Sequence, residues 1–165
     1  MFLSVLETVP AEFEVEEVRD DCGHRFAVLI PLAISDDGYR FVAVETCLIP
    51  FEEQGIRLHE LQFAIVVSDE GDREAFRTCV RDMAKGYIPD DVRPLVMPSV
   101  CGSVATLVRT VQPALIHRVT KVTRPPDKAL HKHQMITDTL ISLGYRVVQE
   151  GTDEACRPFW MRIPE

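Results

Sequence analysis

The sequence predicts an α+β fold with an antiparallel β-meander in its first part and two amphipathic helices. The second of these is a C-terminal helix followed by a β-hairpin. Three observations lead to this prediction. Runs of β-forming residues separated by turns fill the first fifty positions, two later stretches have helical periodicity, and strands and helices do not alternate regularly. With 165 residues, of which 46% are hydrophobic, the chain is predicted to form a single domain over residues 1–165.

The clearest pattern lies in residues 126–163. One helical face is marked there at the expected spacing by Ala129, His133, Ile136, Leu140 and Leu143. Gly144 follows directly, and glycine readily adopts the left-handed backbone that ends a helix. Residues 145–150 and 157–163 are rich in β-formers and flank a predicted turn at residues 151–153, which indicates a hairpin.

The first fifty residues predict the meander. Residues 25–34 and 39–49 are expected to pair as antiparallel strands around the turn formed by Asp36, Asp37 and Gly38. Pro31 interrupts the first of these strands, and proline cannot donate a ladder hydrogen bond, so we expect a bulge or a strand end there.

A further strand and a second helix follow. Residues 60–67 alternate in the manner of a strand with one buried face. Residues 76–87 then have helical periodicity, and Gly86 and Pro89 are typical of a helix end. The predicted inward face of this helix consists of Phe76, Cys79, Val80, Met83 and Tyr87.

The middle of the chain gives weaker signals. Residues 90–102 contain Pro94 and Pro98 and are predicted to form an irregular connection, with a candidate internal hinge at residues 88–103. Ser103 is a suitable N-cap for a short helix over residues 103–112, but the β-branched residues of this stretch also allow a strand. Residues 114–122 predict a strand.

Charge is unevenly distributed. The net charge is −8, but residues 1–100 carry 9 basic and 20 acidic residues, whereas residues 101–165 carry 9 basic and 6 acidic ones. An acidic first part repels nucleic acid and anionic membranes, whereas the later part need not. The two parts are therefore expected to attract each other, within one molecule or between two copies.

The cysteines and the apolar runs indicate the compartment. The five cysteines are odd in number and contain no CxxC pair, which argues against a disulfide framework. The N-terminus lacks a basic region typical of a secretory signal. The longest apolar run, residues 26–34, is about half of the ~20 residues that cross a bilayer. We therefore expect a reduced, cytoplasmic protein that does not enter a membrane.

One segment carries a candidate catalytic residue. Residues 98–103 are small and precede a predicted helix, so their backbone N–H groups could bind an anion and lower the pKa of a cysteine. Cys101 is the candidate nucleophile and His117 the candidate base, with Gly102 allowing a close approach of substrate. The alternative is that these small residues only form a turn and a helix cap.

No metal site and no cofactor are predicted. His131 and His133 are two positions apart, so on a helix they point about 200° apart and cannot bind one ion together. Cys22, His24, His59 and Glu60 could form a metal site only if the fold brought them together, and ordinary turn residues explain them equally well. The sequence contains neither GxxxxGK[ST] nor GxGxxG.

Residues 109–132 form the one basic segment. Cations with nearby aromatic residues occur both in grooves that bind single-stranded nucleic acid and in protein interfaces. The candidate binding residues of the segment and of the following hairpin are Arg118, Lys121, Arg124, Arg157 and Trp160.

Three functions remain after these considerations. The preferred hypothesis is a binding domain that acts through a protein partner or as a homo-oligomer. The second is a small enzyme that uses Cys101. The third is an anion or nucleic-acid binder that uses the basic segment, although a net charge of −8 disfavours a dedicated nucleic-acid protein.

Overall fold

A mixed α/β architecture, dominated by one large sheet, is seen in the computed structural model of the chain. The structure describes residues 1–21, 23–69, 75–78, 86–119, 126–153 and 158–164. These residues form nine strands, β1 (Phe2–Ser4), β2 (Glu16–Asp20), β3 (Gly23–Ser35), β4 (Arg40–Glu53), β5 (Ile56–Asp69), β6 (Ala75–Thr78), β7 (Ile116–Val119), β8 (Tyr145–Thr152) and β9 (Pro158–Pro164). They also form two helices, α1 (Arg93–Val111) and α2 (Asp127–Ser142).

The nine described strands belong to one sheet. Its order is β1-β3-β4-β5-β7-β9-β8, while β2 also pairs with β3, and β6 also pairs with β5. Most neighbours are antiparallel, but β5 and β7 run parallel through His59 opposite Ile116. The parallel pair was not predicted, because it joins two strands separated by α1 and only the tertiary fold brings them together.

The predicted meander is confirmed. β3 and β4 pair antiparallel around the predicted turn, and β4 pairs with β5 along its whole length. Gly38 has a φ of 78°, a left-handed conformation that glycine adopts without strain. The pairing of β3 with β4 shifts register between Pro31 and Ala33, which confirms the expected irregularity at this proline.

The C-terminal prediction is also confirmed. α2 ends at Ser142, and Gly144 has a φ of 84°. β8 and β9 then pair antiparallel as a hairpin. β8 extends through Thr152, so residues 151 and 152 of the predicted turn belong to the strand instead.

The helix predicted over residues 76–87 is wrong where the structure describes it. Residues 75–78 form β6, which pairs antiparallel with the Ile65–Ser68 part of β5. A free strand edge offers a ladder of hydrogen bonds, and such tertiary pairing overrides a local helical pattern. Residues 79–85 of the predicted helix lie outside the described part of the chain.

The irregular connection predicted over residues 90–102 is also wrong, because α1 begins at Arg93. Pro94 lies in the first helical turn, where its missing N–H costs nothing. Ser103 is not a cap but an interior residue, and its hydroxyl donates to the carbonyl of Ser99 at 2.9 Å. The open question at residues 103–112 is resolved as helix, which ends at Gln112 with a φ of 50°. The hinge at residues 88–103 stays a prediction.

The core lies between one face of the sheet and the two helices. Strand residues such as Val44, Leu48 and Ile116 pack there with Val104 and Leu107 of α1. By length and hydropathy α1 could cross a membrane, and its buried residues, such as Val104 and Leu107, face this core.

Candidate functional sites

Cys101 and His117 lie on opposite sides of the sheet. Cys101 is partly buried in α1, and α1 packs on the face to which Ile116 and Arg118 of β7 point. Successive strand residues point to opposite faces, so His117 lies on the other face, where its ring contacts Phe51 at a centroid distance of 6.2 Å. The structure therefore does not bring the candidate nucleophile and base together.

The surroundings of Cys101 also differ from those predicted. Residues 98–103 lie inside α1 rather than before it, so they are not the free N–H groups of a helix start. Gly102 faces the ring of Phe13, which occupies the space that a side chain at this position would need. The absence of a side chain at Gly102 thus allows close packing, not close approach of a substrate.

No group of three or more potential metal ligands occurs within the described part of the chain. Cys22 lies outside that part. The basic segment is likewise described only in part, because Lys121, Arg124 and Arg157 lie outside the described residues.

Arg118, one of the candidate binding residues of the basic segment, is buried rather than exposed. Its exposed fraction is 2%, and its guanidinium lies under α2. Nη2 of Arg118 is 2.8 Å from Nδ1 of His133 and 3.2 Å from the carbonyl oxygen of His133. Since an arginine can only donate, Nδ1 of His133 accepts, and the imidazole carries its proton on Nε2.

Arg162 of β9 lies beside Arg118 and is equally buried, with an exposed fraction of 2%. Its Nη2 donates to Oγ1 of Thr137 at 3.1 Å, and Nη1 of Arg118 donates to the same oxygen at 3.3 Å. Neither arginine has a carboxylate hydrogen-bond partner within the described residues. The sequence did not indicate Arg162 or Thr137, because their relation depends on the pairing of Ile116 with Arg162.

The two buried arginines of this cluster carry like charges and repel each other. Burial lowers the pKa of Arg118 to about 9, and the neighbouring positive charge of Arg162 contributes in the same direction. Burial also lowers the pKa of Arg162. The pKa of His133 falls to about 4, first through burial and then through Arg118 and Lys132, so this imidazole is neutral at pH 7.

Trp160 completes the cluster. It lies directly opposite Arg118 on the neighbouring strand, and the centre of the Arg118 guanidinium is 5.3 Å from the centroid of its ring. The His133 ring stacks on Trp160 at a centroid distance of 5.3 Å. Trp160 and His133 are partly exposed, so the cluster has an accessible side although its arginines are buried.

A second feature interrupts the edge of β3. β1 pairs with residues 33–35 and β2 with residues 23–27, so residues 28–31 have no strand partner on this edge. Between β1 and β2, the chain leaves the sheet and returns, with Phe13 packed against the core.

This arrangement forms an open groove with a volume of about 420 Å³. Its described lining residues are Val5, Leu6, Pro10, Glu12, Phe13, Glu14, Val28, Leu29, Ile30 and Pro31. The lining is apolar except for two exposed carboxylates, and Leu29 is 49% exposed. The groove therefore combines apolar surface, negative charge and a strand edge.

The predicted ion pairs between the acidic and basic parts of the chain are not seen within the described residues. No ion pair there joins Glu12, Glu14 or Glu16 to a basic residue of the segment at 109–132. Glu12 and Glu14 of the groove are exposed.

Comparison of the chain with protein-family profiles, with curated proteins and with solved structures found no match.

Proposed function

We propose that this chain is a binding domain for a protein partner, and that the partner docks a segment carrying a basic residue next to an apolar one in the groove beside β3. The observation that carries the proposal is the gap in strand pairing at residues 28–31, between β1 and β2. A strand edge can hold a partner by main-chain hydrogen bonds, and neighbouring pockets then select its side chains.

The lining of the groove indicates the chemistry of the partner. Leu29 and Phe13 offer apolar surface, whereas Glu12 and Glu14 supply the charge within the described lining. Complementary charge favours a cation on the partner, and the apolar surface favours a neighbouring aliphatic or aromatic side chain. A volume of about 420 Å³ is sufficient for a few side chains but not for a folded domain.

The proposal is tested with a set of short labelled peptides in which Lys or Arg stands next to Leu or Val. Matched peptides carry Glu in place of the basic residue, and binding is measured by fluorescence polarisation. We expect the basic peptides to bind and the acidic ones not to bind. The double variant Glu12→Lys, Glu14→Lys should weaken binding by about tenfold or more.

A matched control separates the groove from the general acidity of the surface. Glu52 and Glu53 are both exposed at the far end of β4, and the variant Glu52→Lys, Glu53→Lys changes the net charge equally. The control should bind the basic peptides almost as the native chain does. Equal loss in both double variants, or no binding of any peptide, would contradict the proposal.

A second copy of the chain is an alternative partner, because residues 101–165 are net basic. Size-exclusion chromatography with light scattering tests it. A native dimer that Glu12→Lys, Glu14→Lys converts to a monomer would identify the partner as another copy, whereas a monomer in both cases leaves a different protein as the partner.

A further inference from the structure

We propose that Arg118, Arg162 and Thr137 form a binding site for a compact oxyanion, either free phosphate or the carboxylate or phosphate group of a small ligand. This inference is independent of the partner groove, which lies at the opposite end of the strand order, beside β3.

The first argument is the balance of donors and acceptors. Within the described structure, Nε and Nη1 of Arg162 are buried and have no hydrogen-bond partner. Both nitrogens carry N–H groups, and an arginine has no acceptor. Buried polar groups are nearly always hydrogen-bonded, so these donors indicate an acceptor that the chain itself does not supply there.

Thr137 does not supply the acceptor that the unpaired donors of Arg162 need. Its Oγ1 accepts hydrogen bonds from both Arg118 and Arg162, which occupies the lone pairs of the hydroxyl. Its own proton then points away from both arginines. The hydroxyl oxygen therefore has no lone pair left for Nε and Nη1 of Arg162, which still need an acceptor.

The second argument is the charge. Two guanidinium groups donate to a single oxygen although both carry positive charge and both are 2% exposed. Glu150 and Asp138 act on Arg162 only at a distance, since neither makes a hydrogen bond to it. One buried anion would neutralise part of this charge and accept charge-assisted hydrogen bonds from both arginines.

The burial of both arginines limits the size of the ligand group that can reach them. A group that reaches them must be small, which favours a carboxylate or a phosphate over an extended polyanion such as a nucleic acid. Any remaining part of a ligand would have to lie on the outer side of the cluster, where Trp160 is partly exposed and contacts Arg118.

Trp160 also supplies the measurement, because it is the chain's only tryptophan. The probes are inorganic phosphate, acetate and a phosphate monoester, each added to the native chain with chloride as the control at equal ionic strength. We expect saturable changes in tryptophan fluorescence and a higher melting temperature with at least one oxyanion, but not with chloride. The rank of the probes distinguishes a phosphate site from a carboxylate site.

Two variants test the residues. Arg162→Gln should weaken the oxyanion response by about tenfold or more. In buffer without the oxyanion it should melt at the same or a higher temperature, since it removes an unsatisfied buried charge. Arg146→Gln removes an exposed arginine of β8 and should leave the response unchanged.

Three outcomes would overturn the proposal. The first is a native chain whose fluorescence and melting temperature do not respond to any of the oxyanions. The second is an equal response in the native chain and in Arg162→Gln, which would show that the anions act elsewhere. The third is a marked loss of stability in Arg162→Gln without oxyanion, which would show that the guanidinium stabilises the fold and is not an unsatisfied buried charge.

Discussion

The ring of Phe13 covers Gly102 in the middle of α1, and a methyl group added at Gly102 would overlap that ring. Phe13 belongs to the segment between β1 and β2, and it lines the groove that we propose as the partner site. The contact thus connects the helix that covers the core with the segment that forms the groove. It also shows why a glycine is suitable in a helix interior, where glycine otherwise costs about 1 kcal/mol relative to alanine.

Gly102→Ala is expected to lower the free energy of unfolding by about 1–2 kcal/mol, because the cost of overpacking exceeds the gain in helix propensity. It should also weaken binding in the groove, since Phe13 must move. The measurement is urea denaturation of the two single variants and the double variant with Phe13→Ala. In the Phe13→Ala background, Gly102→Ala should be neutral or stabilising by up to about 1 kcal/mol. Additive effects would contradict this interpretation.

The neutral state of His133 makes stability depend on pH. Its pKa in the folded chain is about 4, below its ordinary value of about 6.5, so the unfolded chain binds the proton more readily between these values. The free energy of unfolding should therefore fall as pH drops through this range. With allowance for the exposed part of the ring, we expect a loss of about 1 kcal/mol between pH 7 and about pH 5.

The variant His133→Asn tests this origin, because an asparagine oxygen can accept from Arg118 and does not titrate. It should reduce the dependence of urea denaturation on pH in this window. His131→Asn, at an exposed position of the same helix, should retain the native dependence. Identical pH profiles for the native chain and His133→Asn would exclude His133 as the cause.

Cys101 is expected to react with alkylating agents faster than Cys47. Cys101 is partly exposed, whereas Cys47 is 2% exposed, and a thiol must reach solvent to react. Alkylation followed by peptide mapping gives both rates in one experiment. The comparison is limited to these two thiols, because Cys22, Cys79 and Cys156 lie outside the described residues. A slower rate at Cys101 than at Cys47 would contradict its placement in α1.

Tyr145 connects β8 to the end of α1. Its hydroxyl donates to the carbonyl oxygen of Pro113 at 2.8 Å, and the side chain is buried. Tyr145→Phe leaves that carbonyl unsatisfied and should lower the free energy of unfolding by about 1–2 kcal/mol in urea denaturation. Tyr39→Phe is the matched control at a residue that is 62% exposed, and it should change stability by less than about 0.5 kcal/mol. Equal effects of the two substitutions would contradict a role for the buried hydrogen bond.

Local chemistry determined the parts of the fold that the sequence predicted correctly. The turn at Asp36–Gly38, the irregularity at Pro31 and the helix end at Gly144 each follow from the backbone preferences of one or two residues. Such preferences act over a few positions and can be recognised without knowledge of the remaining chain. The antiparallel pairing of β3 with β4 follows from them because the turn leaves the two strands side by side.

Only the tertiary structure decided the parts that the sequence did not predict. The segment at residues 75–78 pairs with an open edge of β5 instead of continuing as a helix. Arg118 was chosen from the sequence as a candidate binding residue of the basic segment. It is buried because β7 lies between β5 and β9, under α2, and the same pairing brings Arg162 beside it. The sequence by itself determined turns, helix ends and strand alternation, since these depend on neighbouring residues. The fold determined which strands share an edge, and therefore which charges are buried together, since those contacts join residues far apart in the chain.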